Sequence, residues 1–275
     1  DEQEGIDDPR GMSGVRLAAK VHIVTASVAA AENIVRCCNL SGLSVQDVVL
    51  EQLASAEAVM TQDEKDLGVA LVDIGGGTTD LAVFQGGAVV HTHVLPIGGG
   101  HITKDIAYGL RAPIKTAEAI KVEYGCAVED FVEQNEVFQV PHVGGERSHE
   151  TSRRMLASFI EPRVEEIFGL VKMELKRVGY EDLLPAGIVL TGGATQLEGM
   201  ARVAERVFGL PARVASPRDV GGLADVVASP VYATAVGLVK FGFDNHRTES
   251  RYKVQQDGAF KRLKKQMSEW LGNVF

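Results

Sequence analysis

From Val69 onward, short apolar runs alternate with glycine turns. The stretch VALVDIGGGTTDLAVFQGGAVVHTHVL predicts three strands, from Val69 to Ile74, Leu81 to Phe84 and Ala88 to Leu95, joined as an antiparallel meander. Upstream, VRLAAKVHIVTAS alternates around Val21, Ile23 and Val24 and predicts a strand. SVAAAENIVRCCNLSG predicts a helix, with Ser27 as N-cap and Gly42 past its end. SVQDVVLEQLASAEAVM predicts a short Val/Leu strand and then a helix to Met60. Downstream, HITKDIAYGL and TAEAIKVEYG predict two helices broken by Pro113, followed by short strands and a polar hairpin over residues 126–150.

The longest helix is predicted from about Ser152 to Val178. Its apolar stripe is Leu156, Ile160, Val164, Ile167, Val171, Leu175 and Val178, in steps of three or four, and Pro162 is expected to kink it or start a second segment. AGIVLTGG then predicts a buried strand, TQLEGMARVAERVFG a helix, ARVAS a strand and PVYATAVGLVKFGF a helix. Strands and helices mixed throughout predict an α/β or α+β protein. From Asp244 to Gly258 the chain is polar and has the composition of a linker.

At 275 residues the chain is long enough to bury a sizeable core. No apolar stretch approaches the roughly 18–20 residues that a membrane-spanning helix needs. The net charge of −9 argues against general nucleic-acid binding, and it hides an asymmetry: residues 246–275 carry +4 and the rest −13. Cys37 and Cys38 are adjacent and Cys126 stands alone, which is neither a zinc spacing nor a disulfide scaffold and fits a reducing compartment. The opening DEQEGIDDPRGMSG is polar and turn-rich, so either a loop-like start or a fragment is expected.

Two glycine turns carry the chemistry. In VDIGGGTTD a strand ends in Asp73, and Gly75, Gly76, Gly77, Thr78 and Thr79 make the turn. Consecutive glycines let backbone N–H groups approach a phosphate, threonine hydroxyls add to them, and Asp73 is placed to hold a magnesium ion through water. A hairpin turn needs less than this. Neither a Walker loop nor a dinucleotide fingerprint matches, because no GK[ST] follows and a strand comes next. In VLTGGAT an apolar strand meets Gly192, Gly193 and Ala194 just before a helix, which suits either a base or ribose lying on backbone or a simple turn. His91 and His93 share one face of a strand, but no third ligand stands at a recognisable spacing, so they read as surface or hydrogen-bonded histidines.

Together these segments resemble the actin/Hsp70/sugar-kinase superfamily, with VDIGGGTTD similar to its second phosphate loop and VLTGGAT to its adenosine loop. TAEAIKVEYGCA resembles the helix whose Glu and Lys approach the nucleotide sugar, here Glu118 and Lys121; without the resemblance these two are an exposed charge pair. DPRGMSGVRLAAKVHIVTA, LPIGGGHITKDIA, FIEPRVEEIF and SPVYATAVGLVKFG narrow the resemblance to the FtsA family of bacterial cell-division proteins. It covers residues 5–245 and the last fifteen.

The resemblance implies an α/β, actin-like (ribonuclease H-like) fold. Residues 1–66 are then a remnant of the first lobe. Residues 67–245 are the second lobe, with its core at about 67–105 and 185–229 and an insert at about 106–184; the helix at 230–243 packs back on the first lobe. Residues 246–259 are a linker and 260–275 an amphipathic helix. The family's first phosphate loop is missing, so the chain is expected to be N-terminally truncated and, alone, to bind ATP weakly.

The implied function is to bind ATP and Mg2+, to self-assemble into filaments, and to anchor FtsZ filaments to the cytoplasmic face of the inner membrane at the septum, alongside other division proteins. Any ATPase activity is expected to be weak, and no catalytic residue is assigned. Residues 106–184 are implied to receive the FtsZ C-terminal peptide, with Arg153, Arg154 and Arg163 as a basic rim; read bare, those arginines are a solvated helix face. A superfamily small-molecule kinase would instead need a general base, for which no candidate stands out. A pilus-assembly relative would share the loops and lack the amphipathic end.

That end can be read physically. Phe260, Leu263, Met267, Trp270, Leu271, Val274 and Phe275 recur at steps of three or four, with Lys261, Arg262, Lys264 and Lys265 crowding the start. This is the pattern of a helix lying in an anionic membrane surface, or else of a terminal helix docked on the core.

Overall fold

The computed structural model describes residues 5–6, 9, 11–19, 21–133, 135–141, 148–222 and 224–244. The predicted linker and amphipathic helix lie outside them. Three helices come first: α1 (Val28–Leu40), α2 (Glu51–Val59) and α3 (Gln62–Leu67). The meander follows as β1 (Val69–Ile74), β2 (Thr79–Gln85) and β3 (Ala88–Leu95), then α4 (Gly99–Leu110) and α5 (Ile114–Tyr124). The hairpin β4 (Val137–Pro141) and β5 (Ser148–Ser152) leads into α6 (Arg153–Arg177). The chain then returns to the sheet as β6 (Ile188–Thr191), α7 (Met200–Phe208) and β7 (Ala212–Val214). It continues through α8 (Ala224–Val227) to α9 over residues 233–244.

The main sheet runs β3-β2-β1-β6-β7. The meander is antiparallel, and β6 and β7 add in parallel to β1. Alternation sorts its side chains onto two faces. Val72, Ile74, Leu81, Val83, Ile188 and Leu190 join the core under α4–α7, whereas Val69, Leu71, Ala82, Phe84 and Val189 join a smaller core with Ala56, Val59 and Ala233 from α2 and α9. The result is a three-layer α/β/α sandwich. Local signals agree with the layers. Thr61 and Glu64 form a reciprocal capping box that starts α3, Ser152 caps α6 through Met155 N–H, and the Gly98 N–H donates to His101 Nδ1 at the start of α4.

Four expectations change. Residues 15–26 form no strand among those described: Val15 is 96% exposed, Val21 and Ile23 are exposed, and His22 Nε2 meets Thr92 Oγ1 of the edge strand β3 at 3.1 Å through side chains, without a backbone ladder. The Val/Leu run before α2 is likewise not a strand. Pro162 starts no second segment but lies inside a continuous α6, because one lost helical hydrogen bond is offset by Leu156, Ile160, Val164 and Ile167 buried on both sides of it. The helix after the second glycine turn starts only at Met200, since Gly199 at φ +87° lies outside helical backbone space.

α9 crosses α2 at Gly237, where an added Cβ would sit inside the van der Waals radius of the Ala54 carbonyl oxygen; at Gly242 in the same helix a Cβ meets open space. Gly237→Ala is therefore expected to destabilise by about 1–3 kcal/mol despite the better helix propensity of alanine. Gly242→Ala is expected to be neutral or stabilising. Urea denaturation of both variants checks the contrast.

Candidate functional site

Because β1 and β6 are parallel neighbours, their C-terminal ends lie at the same edge of the sheet, with Asp73 opposite Thr191. Both glycine turns emerge there. This is the end of an α/β sheet where ligands bind, where loops diverge from adjacent parallel strands.

The first turn closes on itself through the Gly75 N–H to the Thr78 carbonyl at 2.9 Å. The N-terminus of α4 stacks against it: Gly99 N–H donates to Gly75 O at 2.9 Å and Gly100 N–H to Gly76 O at 2.7 Å. A Cβ at Gly98 would meet Gly75 O at 2.6 Å, so a glycine is required for this approach. Thr79 Oγ1 donates to Ile97 O at 2.8 Å and Thr78 Oγ1 to Asp80 at 3.0 Å, so the two threonines brace the turn. Gly77 is exposed at the tip. In the second turn, Gly192 has φ +90° and a Cβ there would strike Asp73 Oδ1. The chain then makes a 3-10 turn over Gly193–Gln196.

Between the turns lies a cavity of about 460 Å³, lined by Gly75, Gly76, Glu118, Lys121, Gly193 and Ala194 from the sequence reading. Gly99, Val122, Gly125, Gln196, Leu197 and Val231 also line it, and these the sequence reading missed. Asp73, Gly77, Thr78, Thr79 and Gly192 stand behind or beside the lining. Lys121 is only 8% exposed, and its Nζ donates to Thr103 Oγ1 at 2.9 Å, Glu118 Oε2 at 2.8 Å and Gly99 O at 3.2 Å. Thr103 Oγ1 also donates to Glu118. Burial pushes the Glu118 carboxyl up, but the hydrogen bonds from Lys121 and Thr103 outweigh it and hold the group below its ordinary range. Glu118 and Lys121 are thus a built part of the cavity wall.

The strand ends carry two buried acids, Asp73 and Asp80, paired across β1 and β2. Ser55 Oγ donates to Asp73 Oδ2 at 2.7 Å and lies 2.9 Å from Thr234 Oγ1, and Gln52 Nε2 donates to Asp80 Oδ1 at 3.0 Å. Gln52, Ser55 and Thr234 were not foreseen; the signal was a pair of polar residues at i and i+3 in an otherwise alanine-rich buried helix. Burial raises the Asp73 carboxyl, with the Ser55 hydrogen bond pulling part of the way back. Burial, followed by the charge of Glu51, pushes Asp80 up to about 7. Among the described residues neither acid has a cationic partner. Two hard oxygen donors short of positive charge beside a glycine turn are the chemistry that a magnesium ion accepts.

The arginines of the expected basic rim are held within the chain. Arg153 pairs with Glu136 and Glu198, Arg154 with Glu129, and Arg163 with Asp105 and Glu166. Beside Arg163, between α4 and α6, an open groove of about 800 Å³ is lined by Tyr108, Ala112, Phe159 and Pro162 among others. Phe260, Leu263, Met267, Trp270, Leu271, Val274 and Phe275 lie outside the described residues. No described helix is long and apolar enough to cross a membrane.

Solved structures place the architecture in the class of actin-like folds. Spiroplasma citri MreB5 bound to ADP superposes with a TM-score of 0.67 at 21% identity, covering 82% of this chain and 68% of its own. A MamK double helical filament gives 0.55 at 17% identity, covering 78% and 66%. The family profile "Cell division protein FtsA" matches residues 70–237, and "SHS2 domain inserted in FTSA" matches residues 1–25. FtsA of Pseudomonas aeruginosa is 54% identical over 88% of this chain and 58% of its own length. FtsA of Escherichia coli K12 is 44% identical over 100% and 67%. The chain belongs to the FtsA family of cell-division proteins, and it spans about three-fifths to two-thirds of the length of these relatives.

The raised Asp80 carboxyl has a measurable consequence. A buried acid whose folded pKa lies above its ordinary 3.8 costs stability once pH rises past 3.8, and the cost is complete above about 7. Asp80→Asn keeps an acceptor for Gln52 and removes the charge. It is expected to raise the melting temperature at pH 8, with the difference vanishing as pH falls to about 4.

Proposed function

We propose that this chain forms part of an ATP-binding cell-division protein that ties FtsZ filaments to the cytoplasmic face of the inner membrane. The observation that carries the nucleotide reading is the meeting of the two glycine turns over one cavity, with a buried lysine in its wall and, behind the lining at the strand ends, two acids short of positive charge. Backbone N–H groups of Gly76 and Gly77 suit the phosphates, Asp73 the magnesium ion, and Gly193–Ala194 with Glu118 and Lys121 the nucleoside. The MreB5 structure bound to ADP supports the same ligand class by likeness of fold. Membership of the FtsA family favours a nucleotide-dependent structural role over a small-molecule kinase.

Filament formation by self-assembly rests on the actin-like fold, as in the MamK filament. For the FtsZ C-terminal peptide, the groove between α4 and α6 offers an apolar floor beside Arg163, while Arg153 and Arg154 sit further along α6. A peptide carboxylate would have to compete with Asp105 for Arg163. Other division proteins are partners by family membership. Membrane attachment rests on the sequence of residues 260–275: burying a large apolar side chain contributes about 1.5–3 kcal/mol, and a basic residue near an anionic surface adds on the order of 1 kcal/mol.

Two experiments test these readings separately. In full-length protein carrying this chain, Gly193→Val is expected to abolish calorimetric ATP binding while leaving the fold intact, because the nearest atom to its Cβ is Val231 Cγ2 at 3.6 Å and the side chain would project toward the cavity. Undiminished affinity would remove the cavity as the nucleotide site. Trp270→Glu is expected to abolish co-sedimentation with anionic liposomes without altering ATP binding; unchanged sedimentation would assign the terminal segment to another role.

A further inference from the structure

The sequence leaves His91 and His93 without a third ligand, and the fold supplies one. Strand β3 puts both rings on one face, nearly parallel, with centroids 6.3 Å apart and an interplanar angle of 14°. The long helix α6 passes that face and brings in Glu174 from 83 residues beyond His91. Its carboxylate is 7% exposed. Glu174 Oε1 lies 2.8 Å from His91 Nε2 and 3.5 Å from His93 Nδ1.

We propose that His91, His93 and Glu174 form a site for a divalent transition-metal ion of the zinc type, separate from the nucleotide cavity. One donor atom from each residue lies within 4.8 Å of the other two. Around a tetrahedral zinc, with bonds of about 2.0–2.1 Å, adjacent donors are about 3.4 Å apart, so closure needs side-chain shifts of about an ångström. Two imidazoles and one carboxylate are a donor set that zinc accepts, and they leave a fourth position open. His93 is 38% exposed, which places that fourth position toward solvent, where water can fill it.

The groups facing the cluster explain how it remains stable without metal. Arg177, one turn along α6, donates through Nε to Glu174 Oε2 and through Nη2 to Oε1, each at 2.7 Å. Its guanidinium supplies the positive charge that the buried carboxylate needs. It is 65% exposed and free to swing outward, and it can also keep Oε2 while Oε1 turns to the ion. The arginine is thus a built-in competitor, and metal and arginine exchange at one oxygen. A bound ion would clamp the outer strand of the sheet to the helix that spans the insert, two elements otherwise joined at this point by a single histidine–carboxylate contact and its neighbour.

The competition gives the test its sign. Protein treated with EDTA and desalted is titrated with ZnCl2 by calorimetry and with CoCl2 by absorbance. One equivalent of zinc is expected to bind and to raise the melting temperature. His91→Gln and His93→Gln, whose side chains keep the strand folded, are each expected to weaken it about tenfold or more. Arg177→Gln is expected to tighten it severalfold, an outcome that a purely structural His–Glu–Arg cluster does not produce. Cobalt is expected to show visible bands of a low-coordinate nitrogen and oxygen site without thiolate charge transfer. Zinc binding unchanged in the double histidine variant, weaker binding in Arg177→Gln, or a thiolate band from the cysteines would each overturn the proposal.

Discussion

The parallel pairing of β1 with β6 is the constraint on which the site depends. Asp73 stands opposite Thr191 in that ladder, so the turns that follow the two strands leave the sheet side by side although the sequence separates them by more than a hundred residues. A slip of one residue would send every side chain of β6 to the opposite face and exchange the two cores. The register is held on both sides, by the apolar core under α4–α7 and by the smaller core under α2 and α9. The glycines at the turns then let backbone pack against backbone: α4 on the first turn, and Ile74 against Gly192 in the second.

Charge is the second organising term. The cavity wall is satisfied, with Lys121, Glu118 and Thr103 meeting one another's needs. The strand ends behind it are not, because among the described residues Asp73 and Asp80 are held by neutral donors such as Ser55, Gln52 and Thr78 and by no cation. Burying carboxylates without positive charge is unfavourable, and it is tolerated where a ligand supplies that charge. The same logic runs in reverse at Glu174, whose carboxyl is held down at about 2, chiefly by the Arg177 hydrogen bonds. That acid already has its cation.

What was legible in the sequence was local. The meander, the break at Pro113 and the stripe of α6 follow from periods of two and three to four, and the glycine turns announce themselves by composition. What was not legible depends on partners distant in the chain. Alternation in residues 15–26 has the look of a strand, but a strand exists only where another edge accepts its hydrogen bonds. Ser55 meets Asp73 across 18 residues and Thr234 across 179, and Glu174 meets His91 across 83; no spacing rule finds such pairs. Pro162 was read as an interruption because its local cost is visible in sequence, whereas the burial on either side of it is a property of the packed helix.

The central claim is that the two turns act as one nucleotide site. Hydrogen–deuterium exchange of the full-length protein with and without Mg–ATP tests it directly. Exchange is expected to slow together in the segments spanning residues 74–79 and 192–198, with the face of α5 that carries Glu118 and Lys121 following. Protection of one turn without the other, or protection confined to regions away from both, would contradict it.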